Sequence, residues 1–467
     1  MARARRQAIQ MLPDEWRAST SLSGVYALRM LGMFLVLPVL ALYAAQLQGA
    51  SNDKSLVGLA MGMYGLTQAL LQLPLGMASD KFGRKKVIYF GLLVFAAGSF
   101  LAATAQSLEM LVVARAVQGA GAVSAAVTAL LADLTREEVR TRSMAMIGLS
   151  IGLTFSVSLV ISPVLSEWMG VAGLFWLTGI LTVLSIAVVA FWTPNPQQSK
   201  YHADAQAKPA RFAEVFKNRQ LMSLNFGIFA LHSGMMALFT SLPFALENLG
   251  LLKTAHWKIY FPATLFGLIL MVPAIIVGET RNKLKQVFIA GIALTLLAVL
   301  GLLVSVDSLW LIGACLVIYF IGFNILEASQ PSMVSKIAPA QLKGTAMGVY
   351  NTLQSVGLFV GGVVGGRLLQ TAGLSAVLLF VAAMTALWLW IAMKSPAPKP
   401  IKNLAYGLPS TWRDKQDELH SRLQNVAGIE QIAFSDDGET VYIKALQKGF
   451  DEENVKKILG AEQDVFE

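Results

Sequence analysis

Cysteine is nearly absent: Cys315 is the only one in 467 residues, which excludes a disulfide framework and a thiolate metal cluster. Charge is scarce as well, at 14% of residues against 55% hydrophobic. A soluble domain of that composition would expose too much apolar surface, so the solvent for most of this chain is lipid. The first twenty residues carry Arg3, Arg5, Arg6, Asp14, Glu15 and Arg17 but lack a short apolar core and a small-residue cleavage site. They read as a retained basic tail (1–21), not a signal peptide. No Ser/His/Asp set, metal-ligand cluster or phosphate-binding glycine loop sits at a membrane surface. No enzyme, cofactor or metal reading follows.

What the chain has in quantity is apolar runs of about 20 residues, the length that spans ~30 Å of hydrocarbon as helix. They fall near 22–47, 55–78, 87–105, 109–132, 143–167 and 171–193, then 221–247, 257–279, 286–305, 308–334, 345–370 and 374–394. Helices satisfy their own backbone groups in lipid. The fold class predicted is therefore an all-α polytopic membrane protein, with a six-helix bundle at 22–193, a linker at 194–220 and a second bundle at 221–394.

Cytoplasmic loops collect Lys and Arg. One set of loops holds Lys81, Arg84, Lys85, Lys86, Arg136, Arg140, Arg142, Lys200, Lys208, Arg211, Lys217, Arg219, Arg281, Lys283, Lys285, Lys336 and Lys343; the alternate set has Lys54, Lys253, Lys258 and Arg367. Both termini are thus predicted to be cytoplasmic. The net charge of +9 is a topology signal with some affinity for anionic lipid, and no nucleic-acid module accompanies it.

After Lys394 the composition changes. Ser395-Pro396-Ala397-Pro398-Lys399-Pro400 is a stiff linker (395–402), and residues 403–467 form a second domain with seven bases against thirteen acids, a net charge of −6 that leaves +15 on the rest. Asp414–Val426 has helical periodicity, 429–434 and 440–445 alternate like strands around the turn Asp436-Asp437-Gly438, and 451–459 is a second helix. With a short strand near 403–406 and another at the end, the order is βαββαβ, a small α+β ferredoxin-like plait. The segment resembles heavy-metal-associated domains, but their Cys-x-x-Cys is missing, so thiolate metal binding is not expected.

The loop Gly76–Lys86, GMASDKFGRKK, is a polar interruption between two apolar runs. Gly76, Asp80, Lys81, Gly83, Arg84 and Lys85 match the signature loop of the major facilitator superfamily, which the chain resembles over all twelve helices. Gly76 permits close approach of a neighbouring helix, and Asp80 can face the positive N-terminus of another. The resemblance implies that this neighbour is helix 11, beginning near Gly344. It also implies that Arg84 bridges Asp80 and Asp133, and that the cluster latches the two halves while the cavity faces outward. Lys81, Lys85 and Lys86 carry an alternative reading, enforcement of topology alone.

Leu111-x-x-x-Arg115-x-x-Gln118-Gly119-x-Gly121 resembles the motif the family places around a buried arginine. A charge at mid-bilayer costs ~2.5–3.5 kcal/mol on insertion scales, so it normally faces a cavity and has a partner. Arg115 and Gln118 are read as cavity residues, against a structural role on helix carbonyls. Arg29 either lines the cavity or snorkels to cytoplasmic water. His232 is a proton relay or a packing residue. Asn225, Asn324, Asn351 and Gln354 either contact substrate or tie helices together.

Glu327, about midway along the tenth run in Gly322-Phe323-Asn324-Ile325-Leu326-Glu327-Ala328, is the acidic residue deepest in any span. A carboxyl in that position can bind and release protons as access alternates, or form a static ion pair. We take it as the proton carrier.

The halves echo one another. Thr141–Met146 corresponds in position to Gly344–Val349, and Gly278–Lys283 stands where a worn second copy of the Gly76 loop would fall. One family feature is missing: where antiporters carry Gly-Pro-x-x-Gly-Gly in helix 5, this chain has Ser162-Pro163-Val164-Leu165-Ser166-Glu167. The resemblance to the drug:proton antiporter branch implies a monomeric inner-membrane carrier that exports amphipathic or drug-like molecules by alternating access. Proton-coupled uptake, facilitated diffusion, and a sensor signalling through the tail stay open. The tail is also expected to dock on cytoplasmic loops.

Overall fold

The structure, a computed structural model, describes residues 11–50, 53–195, 211–281, 283–304, 307–339, 342–397, 401–434, 438, 440–446 and 449–460. Arg3, Arg5, Arg6, Lys200, Lys208, Asp436, Asp437 and the strand expected at the C-terminal end lie outside the described residues.

Ten described helices are long and apolar enough to cross a membrane. Two of them account for four crossings. The run Glu137–Phe191 contains 55 residues, ~80 Å of helix at 1.5 Å per residue and more than twice a bilayer core. It breaks at Gly170, φ 68°, a left-handed angle that glycine adopts without a side-chain penalty. Before the break, Ser150 donates to the Ser23 carbonyl at 3.2 Å and Ser162 to the Leu35 carbonyl; after it, Thr178 donates to Gly32 at 3.2 Å and Thr193 to Ser21 at 3.0 Å. Partner numbers rise and then fall, so the chain has reversed. Lys343–Lys394 reverses in the same way at Gly373, φ 78°: Gly357, Gly361 and Gly365 lie on Phe229, Ser233 and Ala237, and the returning Trp388 lies on Gly227.

We number the twelve crossings α1 (Pro13–Ala44), α2 (Lys54–Phe82), α3 (Arg84–Ala103), α4 (Leu108–Asp133), α5 (137–169), α6 (171–191), α7 (Arg219–Asn248), α8 (Trp257–Thr280), α9 (Leu284–Val304), α10 (Leu309–Ile337), α11 (343–372) and α12 (374–394). Helices α1–α6 and α7–α12 form two bundles. Trp168, Trp192, Trp310 and Trp390, all near helix ends, are exposed, as aromatic side chains at a lipid interface are.

Among the described residues, the contacts between the bundles gather toward one end. On α2, Gly58, Gly62 and Gly65 lie against Gly362, Phe359 and Ser355 of α11, so closely that a Cβ on Gly58 would strike the Gly362 carbonyl. Phe155 of α5 stacks on Phe323 of α10 at 5.7 Å, and the Lys54 amide donates to Gln370 at 2.8 Å. One apolar cluster takes Val36, Leu40, Met61 and Leu159 from the first bundle and Leu231, Leu238 and Phe320 from the second. A separate cluster, Leu22, Val25, Ile88, Leu92, Val127 and Leu130, belongs to the first bundle alone and lies toward the Gly76–Lys86 loop. The molecule is closed at the end opposite that loop.

Beyond the linker, β1 (Ile401–Gly407), α13 (Gln416–Gln424), β2 (Ile429–Phe434), β3 (Thr440–Leu446) and α14 (Glu452–Leu459) follow. The sheet order is β1-β3-β2, antiparallel, with Ile401 opposite Leu446 and Phe434 opposite Val441. Leu419 and Leu423 of α13 and Val455 and Leu459 of α14 cover Val441, Ile443 and Ala445 of β3. That is the ferredoxin-like arrangement for the strands described.

Candidate functional site

Glu327 lies one helical turn beyond Phe323 on α10, just past the Phe155–Phe323 contact and toward the end where the bundles part. Its side chain is 37% exposed, and that gap is what it faces. His232 of α7 and Gln354 of α11 surround it. The Ile228 carbonyl can only accept, so His232 Nδ1 carries the proton and donates to it at 3.3 Å, which leaves a lone pair on Nε2. Gln354 Nε2 donates to that lone pair at 2.7 Å and approaches Glu327 Oε1 at 3.5 Å. Glu327 Oε2 stands 3.7 Å from His232 Nε2 and has no hydrogen-bond partner among the described residues. The neighbours of this carboxyl are therefore a neutral imidazole and an amide, a set that accommodates either the acid or the carboxylate form.

The residue after Gln354 reaches the other bundle. Ser355 Oγ accepts from Gln68 Nε2 at 3.1 Å, and Gln68 Oε1 accepts from Arg29 Nη2 at 3.4 Å. Arg29 also donates to Tyr64 at 3.0 Å and Ser124 at 3.1 Å and lies over Phe95. It is 1% exposed, so it does not snorkel: neutral acceptors on α2 and α4 hold its two terminal nitrogens inside the bundle, while Nε has no hydrogen-bond partner among the described residues. Tyr64, Gln68 and Ser355 were not singled out from the sequence. The readable signal was a tyrosine and a glutamine at i and i+4, on one face of an apolar helix.

Arg115 is also inside the first bundle, 2% exposed. It donates to Gln118 Oε1 at 2.5 Å and lies over the Tyr64 ring at 5.0 Å, while Gln118 donates to Ser99 of α3 at 2.9 Å. The structure thus places Arg115 and Gln118 between α2, α3 and α4, away from the gap, because aromatic and amide groups there meet the guanidinium. Asn225 is buried near Met222, and Asn324 donates to the Phe320 carbonyl at 2.8 Å beside Gly267 of α8. Each hydrogen bond stays within one helix of the second bundle, and neither side chain reaches the gap. Asn351, half-buried, lies one turn before Ser355 on α11.

At the loop end, Gly83 has φ 98° and turns the chain from α2 into α3. Arg84, starting α3, is held by three acceptors: Asp133 Oδ2 at 3.0 Å, Ser79 Oγ at 2.7 Å, and Asp80 Oδ1. Lys85 donates to the Thr193 carbonyl at 2.6 Å, whereas Lys81 is exposed over Phe82. Gly76 lies against Ala125 of α4, where helix 11 had been expected, and the Asp80 side chain is 45% exposed. The physical reason is the parting of the bundles: α2 and α11 touch at the other end, so the charge cluster is assembled within the first bundle without spanning both. In the second bundle the corresponding place holds Glu279 of α8, bonded to Lys336 of α10 at 2.5 Å and to Ser332 at 3.0 Å.

Two six-helix bundles closed on each other at one end, with a carboxyl in the gap, define a secondary transporter. The chain matches the Major Facilitator Superfamily over residues 22–362 and belongs to it. It is a transporter that spans the membrane, not an enzyme. It is 40% identical over 435 residues to the inner membrane transport protein YajR of Escherichia coli K12, covering 93% of this chain and 95% of the relative. It is 26% identical to the quinolone resistance protein NorA of Staphylococcus aureus MSSA476, over 72% of this chain and 86% of the relative. Among solved structures, a bacterial homologue of the lysosomal transporter Spinster, inward-facing and occupied, superposes with a TM-score of 0.66 at 13% identity, over 82% of this chain and 96% of the other. That likeness concerns the fold alone.

Proposed function

We propose that this protein is a proton-coupled exporter of amphipathic small molecules, working by alternating access. The observation that carries the reading is Glu327: a carboxyl within a membrane helix, at the mouth of the gap, facing a neutral His232 and Gln354 with no arginine or lysine bonded to it among the described residues. A carboxyl neutralised by a proton, and not by a fixed cation, changes charge when access switches. His232 Nε2, 3.7 Å away, can take that proton once Gln354 releases the lone pair it holds. The relation to NorA, a quinolone resistance protein, supports export and a drug-like substrate.

Among the described residues, the loops richest in Lys and Arg, those of Lys81–Lys86, Arg136–Arg142 and Arg281–Lys285, lie at the open end, so the positive-inside rule supports a cytoplasmic opening, cytoplasmic termini and the bacterial inner membrane as location. The six-helix pseudo-repeat supplies both walls of the gap from one chain, which supports function as a monomer. The soluble domain is proposed to dock on the cytoplasmic end.

Everted vesicles with an acid interior and a panel of fluorescent lipophilic cations test the reading, with Glu327→Gln in parallel. Gradient-driven accumulation that the variant loses is the expected result. Accumulation under the opposite gradient would favour uptake, the reading that the missing helix-5 glycines keep in play.

A further inference from the structure

We propose that the soluble domain is a brake on α10, applied through Lys444. The sheet of a two-layer plait has one face under its helices and the other toward solvent. On β3 the alternation sends Val441, Ile443 and Ala445 to the helices and Tyr442 and Lys444 to the open face, yet these two are only 7% and 5% exposed. A lysine is almost never buried without partners. Lys444 Nζ donates to the carbonyls of Lys336, at 3.2 Å, and Ala338. These close α10, and the last carbonyls of a helix have no partner within it and carry the negative end of its dipole. The occupant of the open sheet face is the C-terminal turn of α10.

Lys336 also reaches in the other direction, since its ammonium holds Glu279 of α8. The soluble domain, α10 and α8 are thereby joined at one residue, nine positions along the helix from Glu327 and ~13 Å at 1.5 Å per residue. A transport cycle in which α10 moves against α8 must break or drag this junction. The domain's acidic balance, −6 against +15 for the remainder, favours the joined state. The geometry of the contact stands by itself; its role as a brake rests on the transporter reading above.

The test uses the full-length protein in nanodiscs, with Cys315→Ser and spin labels replacing the exposed Lys283 and Lys457. Lys444→Met removes both hydrogen bonds. Ala338→Arg fills the seat from the bundle side and leaves the domain's own sequence intact, so a misfolded domain cannot imitate release. The expected result is one narrow distance in the parent, a broad distribution in both variants, and transport faster by about fivefold or more, since each lost hydrogen bond shifts the balance about fivefold. A narrow distance in both variants overturns the docking. Release with an unchanged rate overturns the brake. If the parent moves none of the cations, the transporter reading fails and takes the brake with it, while the distances still decide the docking.

Discussion

Gln68 of α2 donates to Ser355 of α11 at 3.1 Å, and the residue before Ser355, Gln354, bonds His232 and faces Glu327. One step along α11 therefore separates a hydrogen bond between the two bundles from the carboxyl proposed to carry the proton. Arg29, bonded to Gln68, extends the same polar chain into the first bundle.

Glu327→Gln keeps the shape and removes the proton. We expect gradient-driven accumulation to fall to background while substrate binding, read by fluorescence quenching, is retained. Loss of binding together with transport would give Glu327 a substrate-contacting role instead.

Gln68→Leu removes the hydrogen bond between α2 and α11. A net contribution of about 1 kcal/mol corresponds to roughly a fivefold shift toward opening at the Lys54–Gln370 end. Labelling rates at a cysteine replacing Gln370 measure it, and an unchanged rate would show that the glycine contacts alone hold the closure.

Gly362→Val places methyls where the Gly58 carbonyl and Gly62 backbone lie. Closure at this end should be blocked. Folded, membrane-inserted protein should bind substrate yet complete no cycle, read as binding without transport.

Arg84→Ala removes the ion pair to Asp133, whose side chain is 0% exposed, and should cost about 3–5 kcal/mol of stability, as breaking buried pairs does. Asp80→Asn, at a 45% exposed carboxylate, should cost under about 1 kcal/mol. Thermal unfolding in detergent compares the two, and equal effects would contradict the assignment of Arg84 to the buried partner.

Burial and the neighbouring Lys343 lower the Lys444 ammonium from 10.5 to about 8. The other charged groups at the junction are Lys336 and Glu279, already paired with each other. The joined form therefore binds fewer protons than the released form between pH 8 and 10.5, and raising the pH through that window strengthens the contact. A neutral amine keeps two N–H groups for the two carbonyls. From pH 7 to pH 9 the ratio of joined to released domain should rise about tenfold by linkage, measured from the distance distributions, and a fall would reverse the assignment.

The helices were legible in the sequence because span length is local: about 20 apolar residues need no partner to be recognised. The Arg84–Asp133 pair was legible through resemblance, and Glu327 through the cost of an acid in lipid. Arg115 and Gln118 were assigned to the cavity because a sequence shows that a charge lies in the membrane but not which face of its helix carries it. Tyr64 and Ser99 settle that by packing.

The sequence by itself determined the membrane class, the two halves, the tail domain and the depth of Glu327, all properties of one segment and its solvent. Only the tertiary structure decided which end is closed, which side chains face the gap, and where Lys444 finds its carbonyls. Those depend on helices far apart in the chain approaching within hydrogen-bonding distance, and no local pattern encodes that approach.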